Sequence, residues 1–228
     1  EDIFEAVRVA ADNGLKISVQ ATGHTESTIT SGLLLTTKRM DAFEIDPEEK
    51  TVTAGAGVKW QPVIAAAAEY SLAPIAGSSP MVGVVGYLTG GGLGPLVRSH
   101  GFSSDYLIEA TVVTGSGETV TASADENQEL LWALRGGKYG LGIVTEVKVR
   151  LVELDTIYAG SLFFAEDDIE AALRGWIDWT ARADERASTS AAVVQFPPLD
   201  VVPEPLRGRR LLSLRFAFPG GGTDGEGL

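Results

Sequence analysis

The sequence predicts an α+β protein, on three observations. Segments such as Ile143 to Leu151 (IVTEVKVRL) alternate apolar and polar residues with the period of a half-buried strand. Two pairs of such segments are joined by short turn signals, Pro47-Glu48-Glu49-Lys50 and Gly115-Ser116-Gly117, so neighbouring strands run antiparallel. Helical patterns are scattered among the strands and do not alternate with them one for one. That excludes a doubly wound parallel sheet.

Taken in order, Asp2 to Asn13 predicts an amphipathic helix with Ile3, Val7, Ala10 and Ala11 on one face and Gly14 as its stop. Lys16 to Gln20 predicts a strand running into the turn Ala21-Thr22-Gly23-His24, and Leu33 to Thr36 a second strand. Phe43 to Asp46 and Thr51 to Ala54 form the first hairpin. Trp60 to Tyr70 predicts an alanine-rich helix, closed by Ser71 and Pro74. Leu107 to Thr114 and Glu118 to Ala122 form the second hairpin. Asn127 to Arg135 predicts a short helix ended by Gly136-Gly137. From about Thr156 the texture changes: strand Tyr158 to Phe164, then helix Asp167 to Ala183 with Ile169, Leu173, Trp176 and Ile177 inward. Strands Ala191 to Phe196 and Arg210 to Phe218 follow.

Composition narrows the function. At 228 residues the chain can build one large domain or two small ones. Its net charge of −13 argues against partners bound through basic patches, namely nucleic acid and anionic membranes. No apolar run approaches the ~20 residues needed to span a bilayer as a helix. Zero cysteines remove disulfides, thiolate nucleophiles and Cys-ligated metals together, and two histidines, His24 and His100, leave little for a metal site. No metal centre is expected. The chain opens at Glu1 inside a helical pattern, so a lost leader is conceivable, and the cytoplasm is only the default location.

The stretch Gly77 to Gly94 (GSSPMVGVVGYLTGGGLG) organises the remainder. It holds seven glycines and no charge. Pro80 suits a first helical turn, Ser78 or Ser79 is placed as an N-cap, and Met81 to Leu88 reads as the helix that follows. Such a helix start offers unpaired N–H groups to an anion. Gly83 and Gly86 would leave one face open to a flat ligand or another backbone. A tightly packed helix with a flexible exit is the alternative reading of the same residues. The glycine run misses G-x-G-x-x-G and follows a loop, which argues against a nicotinamide dehydrogenase. Gly136-Gly137-Lys138 precedes Tyr139, so it is no P-loop. No G-x-S-x-G elbow occurs. Four glycine-rich turns survive, at Gly23-His24, Gly55 to Gly57, Gly77 to Gly94 and Gly136 to Gly142. They suggest backbone amides gathered round an extended ligand with an anionic middle.

Six segments, in this order and spacing, carry a resemblance. ISVQATGH, LLLTTKRM, VTAGAGVKWQPV, LAPIAGSSPMVGVVGYLTGGGLG, GFSSDYLIEATVVTGSGE and LLWALRGGKYGLGIVTEV are similar to the FAD-binding domain of the vanillyl-alcohol-oxidase/PCMH flavoprotein superfamily, above all to its berberine-bridge-enzyme-like oxidoreductases. The resemblance implies a PCMH-type FAD-binding domain of two α+β subdomains over residues 1–154. Residues 155–228 would begin an α+β substrate domain with an antiparallel sheet. Members are longer, so the resemblance implies that the chain lacks the first strand of the FAD domain and the second half of the substrate domain, and that alone it is catalytically silent.

It further implies FAD as cofactor, a small-molecule substrate, and an oxidoreductase that moves a hydride to flavin N5 and is reoxidised by dioxygen or another acceptor. The alternative is a non-catalytic flavin-binding remnant. In the implied roles, the turns carrying Thr22, Gly23, His24 and Thr25, and Gly77, Ser79, Met81, Val82 and Gly83, hold the pyrophosphate and ribityl chain. Tyr87 faces the flavin ring, or else is an ordinary core tyrosine. Ile143 and Val144 meet the adenine end. His24 stands at the position that many members bond covalently to the flavin 8α-methyl, or else is a hydrogen-bonded loop histidine. Ser79 stands where some members place a second, cysteinyl link. Gln20 stands where many carry arginine, and Glu26 adds a carboxylate to the same turn. The catalytic base would belong to the missing part, so no catalytic residue is assigned.

Overall fold

The computed structural model describes residues 2–24 and 31–221, and these fall into two compact units, 2–24 and 31–94 with 102–155, and 95–101 with 156–221. In chain order the elements are α1 (Asp2–Asp12), β1 (Ile17–Gln20), β2 (Leu33–Thr36), β3 (Phe43–Asp46), β4 (Thr51–Gly55) and α2 (Trp60–Ala68). There follow β5 (Leu72–Ala73), α3 (Val84–Leu88), α4 (Val97–His100), β6 (Leu107–Val113), β7 (Thr119–Ser123) and α5 (Gln128–Leu134). The last are β8 (Ile143–Arg150), β9 (Val152–Glu153), β10 (Ile157–Phe164), α6 (Ile169–Thr180), β11 (Ser188–Gln195) and β12 (Arg210–Pro219). The fold is α+β.

The first unit is built on a five-stranded antiparallel sheet in the order β3-β4-β8-β6-β7. β1 and β2 form a separate parallel pair, and β5 pairs with β9. Strand β8 lies in the middle of the large sheet because its alternation buries Val147 and Val149 on the core face and leaves Glu146 and Arg150 outside the core. Val52 and Ala54 of β4, Ala110 and Val112 of β6, and Trp60, Val63 and Ala67 of α2 complete that core with Val84, Val85 and Leu88 of α3. Trp60 is wholly buried and meets Tyr87 edge to face at 6.2 Å.

A second, smaller cluster joins α1 to the sheet: Val7, Val113 and Ile143, flanked by Ile3, Ile17 and Leu35. Ile143 and Val144 are neighbours yet sit in different cores, because successive strand residues face opposite ways and β8 is covered on both sides at its start. The ladder slips here: Thr111 pairs with Glu146 and Val112 with Val144, so Thr145 is a bulge residue whose carbonyl accepts from Ala56 N–H at 2.9 Å.

The central glycine stretch differs from the expected helix. α3 starts at Val84 with Gly83 as its N-cap, and no serine caps it. The cause is competition for backbone groups. Trp60 N–H donates to Val82 O (3.0 Å), Gln61 N–H to Pro80 O (2.8 Å) and Val84 N–H to Val58 O (2.9 Å). These bonds tie the turn at 80–83 to the start of α2, and Lys59 and Gly83 form a single β-bridge.

The second unit is a three-stranded antiparallel sheet, β10-β12-β11, with α6 against it. Trp176 donates its indole N–H to Thr189 Oγ1 at 2.9 Å. Ile177, expected inward, is exposed, because the half-buried stripe of α6 runs through Ala172, Leu173, Trp176 and Thr180 and Ile177 lies a third of a turn away. α4 belongs to this unit, with Arg98 bonded to Ala187 O and Ser188 Oγ. No helix among the described residues is long and apolar enough to cross a membrane.

Gly142, just before β8, has φ +111°, and a Cβ there would stand 2.6 Å from Val112 Cγ1 and 2.8 Å from Val113 O. Gly142→Ala is therefore expected to cost about 2–4 kcal/mol. At Gly86 in α3 a Cβ meets nothing within 4 Å. Gly86→Ala is expected to add about 0.5–1 kcal/mol through helix propensity. Chemical denaturation of the two variants checks the contrast.

Candidate functional site

A groove of about 590 Å³ opens in the first unit between the α1–β1 layer and the large sheet, within the range of small-molecule and cofactor pockets. One wall carries Val7, Ala10 and Ala11 of α1 with Ile17, Val19 and Ala21. The floor carries Ala56, Val85, Gly86 and Thr89. The opposite wall carries Val113, Gly115, Ile143, Val144 and the segment Lys138 to Gly140. Thr37 and Thr89 also line it, but their hydroxyls donate inward to Ala56 O (3.0 Å) and Val85 O (2.9 Å). They fix the floor and offer no donor to a ligand.

The glycines sort into two kinds by what an added Cβ would meet. At Gly55 and Gly57 it would strike Met40 O (2.5 Å) and Thr37 O (2.4 Å), so these two allow chain segments to pack. At Gly86, Gly115 and Gly140 it would meet nothing within 4 Å, although all three line the groove. Bare backbone with open space above it, between apolar walls, is a cradle that fits a flat, extended ligand.

Of the residues singled out in the sequence, Ile143 and Val144 line the groove. Ala21, at its edge, continues into Thr22, and a Cβ on Gly83 would lie 3.3 Å from Thr22 Cγ2, so the turn after β1 and the start of α3 are in contact. Gly23 has φ +70°, with the Gln20 side-chain amide folded over it. His24 is exposed at the end of the described turn, and Thr25, with Glu26, lies outside the described residues. Ser79 is half-buried and Met81 exposed. Val82 packs on the main core and accepts from Trp60 N–H. His100 is in the second unit, where burial lowers its pKa and its Nδ1 meets Ser99 Oγ at 2.8 Å. Among the described residues no His, Asp and Glu cluster could hold a metal ion.

Tyr87 is not among the groove's lining residues. Its ring packs against Gly77, Gly92 and Gly94, where an added Cβ would approach it at 2.9, 2.9 and 3.3 Å. The hydroxyl is buried without a hydrogen-bond partner, and the adjacent Ser103 hydroxyl donates to Ile75 O. Burial raises the phenol's pKa above 10, and the nearby Ser103 oxygen offsets part of that. The sequence placed the turn around Lys138 near a ligand but not the α1 wall, since Ala11, grouped with the helix's apolar face, is exposed and lines the groove together with Leu15.

Residues 1–123 match the family described as FAD binding domain, more than half of the chain. The chain belongs to the FAD binding domain family. The groove fits that cofactor in size, in its apolar walls and in its bare glycine backbone. Among curated relatives, (R)-6-hydroxynicotine oxidase of Paenarthrobacter nicotinovorans is 39% identical over 156 residues, 67% of this chain and 34% of that protein. The FAD-linked oxidoreductase pgmH of Aspergillus terreus is 34% identical over 174 residues, 75% of this chain and 35% of that one. Among solved structures, 6-hydroxy-D-nicotine oxidase from Arthrobacter nicotinovorans superposes with TM-score 0.86 at 30% identity, over 99% of this chain and 49% of that one. A glucooligosaccharide oxidase of Acremonium strictum gives 0.79 at 26% identity, over 99% and 46%. The chain thus spans about a third of the curated relatives it matches and about half of these structures.

Tyr87→Phe removes a buried, unpartnered hydroxyl, so stability at neutral pH is expected to hold or rise. A raised folded-state pKa gives stability that is complete below the unfolded value and is lost as pH rises through the folded one. The variant should therefore lose less stability than the parent above about pH 10. Denaturation midpoints on both sides of that pH check this.

Proposed function

We propose that this chain is the flavin-binding part of an FAD-dependent oxidoreductase acting on a small organic substrate. The observation that carries the reading is the groove in which Gly86, Gly115 and Gly140 leave bare backbone between the walls of α1 and β8, in a member of the FAD binding domain family. When bound, FAD supplies a centre that accepts a hydride from the substrate and passes electrons to dioxygen or another acceptor. The protein's share is position and environment. Val7, Ala10, Ile143 and Val144 keep water from the ligand's flat parts. Backbone at Gly86 lets it approach closely, and the contact of Thr22 with Gly83 fixes the mouth. The relatives' names, an oxidase and an FAD-linked oxidoreductase, support the reaction class.

We further infer that His24 carries the flavin covalently. A solved glucooligosaccharide oxidase is described as holding a 6-S-cysteinyl, 8α-N1-histidyl FAD. His24 is exposed on the turn that touches Gly83, free of core packing. A neutral imidazole is a competent nucleophile near pH 7. With no cysteine in the sequence, any second link of the cysteinyl kind is chemically excluded.

The test is flavin colour in the purified full chain, before and after acid precipitation. Yellow protein whose pellet stays yellow is expected, and His24→Ala should release the colour to the supernatant. Colourless protein overturns the flavin reading. Flavin that washes from the parent overturns the covalent link alone.

A further inference from the structure

One charge stands out in the groove. Among the described residues that line it, Lys138 is the sole charged side chain and none is a carboxylate. In a protein of net charge −13 that is an unusual neighbourhood for an ammonium group. Elsewhere Arg8, Arg39, Lys50, Arg174, Arg207 and Arg210 pair with carboxylates, whereas Lys16, Lys38, Lys59 and Lys148 do not among the described residues, and of the unpaired lysines Lys138 is the one that lines the groove. Among the described residues Lys138 pairs with none, and its ammonium lies 5.6 Å from the ring of Tyr139, itself 76% exposed.

The backbone says the same. Lys138 has φ +55°, in the left-handed region, inside a segment where Gly136, Gly137 and Gly140 are already glycine. A glycine would adopt that conformation without the cost a lysine bears. The half-buried stem passes close to Gly90, where an added Cβ would lie 3.7 Å from Lys138 Cδ, just beyond the end of α3. Strain, a half-buried stem and an unpaired ammonium coincide at the wall of an apolar groove.

We propose that Lys138 is the anion anchor of this groove, pairing through its ammonium with a phosphate oxygen of the bound dinucleotide. This rests on the flavin reading above. An apolar groove cannot hold a diphosphate without compensating its charge, and one unpaired lysine offers what the walls lack. The contact is ionic, with no bond made or broken, so it is specific for phosphate-bearing ligands over the bare flavin ring.

The test uses the full chain in a His24→Ala background, so that flavin binding is reversible. Apoprotein is titrated with FAD and with riboflavin, following flavin fluorescence at low and at near-physiological salt. Lys138→Gln is expected to weaken FAD about tenfold, the loss of one charge-assisted contact. It should leave riboflavin unchanged and reduce the salt sensitivity of FAD binding. Lys138→Arg should keep most of the affinity. Lys138→Gly relieves the left-handed strain, so its melting temperature should not fall although FAD weakens as in the glutamine variant. Equal FAD affinity and equal salt dependence in parent and Lys138→Gln overturn the proposal while leaving the flavin reading intact. So does an equal loss for FAD and riboflavin, which marks a structural role. No FAD binding by the parent background overturns both.

Discussion

Strand β8 begins between two cores, and the rest of the first unit depends on how it does so. Ile143 points into the cluster with α1, Val144 into the main core, and the bulge at Thr145 restores the register with β6 beyond them. A strand buried on both faces must be covered from both sides. α1 with β1 and β2 covers one, α2, α3 and α5 the other. The groove is the part of that junction which side chains do not fill, because Gly86, Gly115 and Gly140 sit where side chains would close it.

Much of this was legible in the sequence. Period-two alternation marked β8, and Pro47 to Lys50 and Gly115 to Gly117 marked the hairpins, because local patterns decide those elements. The glycine stretch misled where long-range bonding overrode local preference. Pro80 and Ser79 are good helix openers, yet the carbonyls of Pro80 and Val82 are taken by the N–H groups at the start of α2, which no local rule reports. Tyr87 reads equally well as a ring-facing or a core residue. Only the space left by Gly77, Gly92 and Gly94 places its ring. The α1 wall was missed because an amphipathic helix was assumed to spend its whole apolar face on a core, whereas part of that face lines the groove.

Charge distribution separates surface from site. The ion pairs Arg8–Glu5, Arg174–Glu170 and Arg39–Asp2 are exposed and contribute little to stability. Among the described residues the surplus carboxylates stay out of the groove lining, in an acidic protein. That exclusion matters for any phosphate-bearing ligand, since a carboxylate in an apolar wall would repel it with little solvent screening.

The pairing of β4 with β8 also sets a schedule for folding. Gly55 meets Glu146 and Thr51 meets Arg150, so the middle of the sheet joins chain segments made far apart in time during synthesis. Until β8 emerges from the ribosome, Val52 and Ala54 of the β3–β4 hairpin have no second neighbour, and the α2 residues Trp60 and Val63 lack the complete sheet they pack on. Non-local pairing of this kind closes slowly and leaves apolar strand edges open to other chains meanwhile. Over the interval between its fourth and eighth strands the nascent first unit therefore exposes apolar surface that the finished sheet buries.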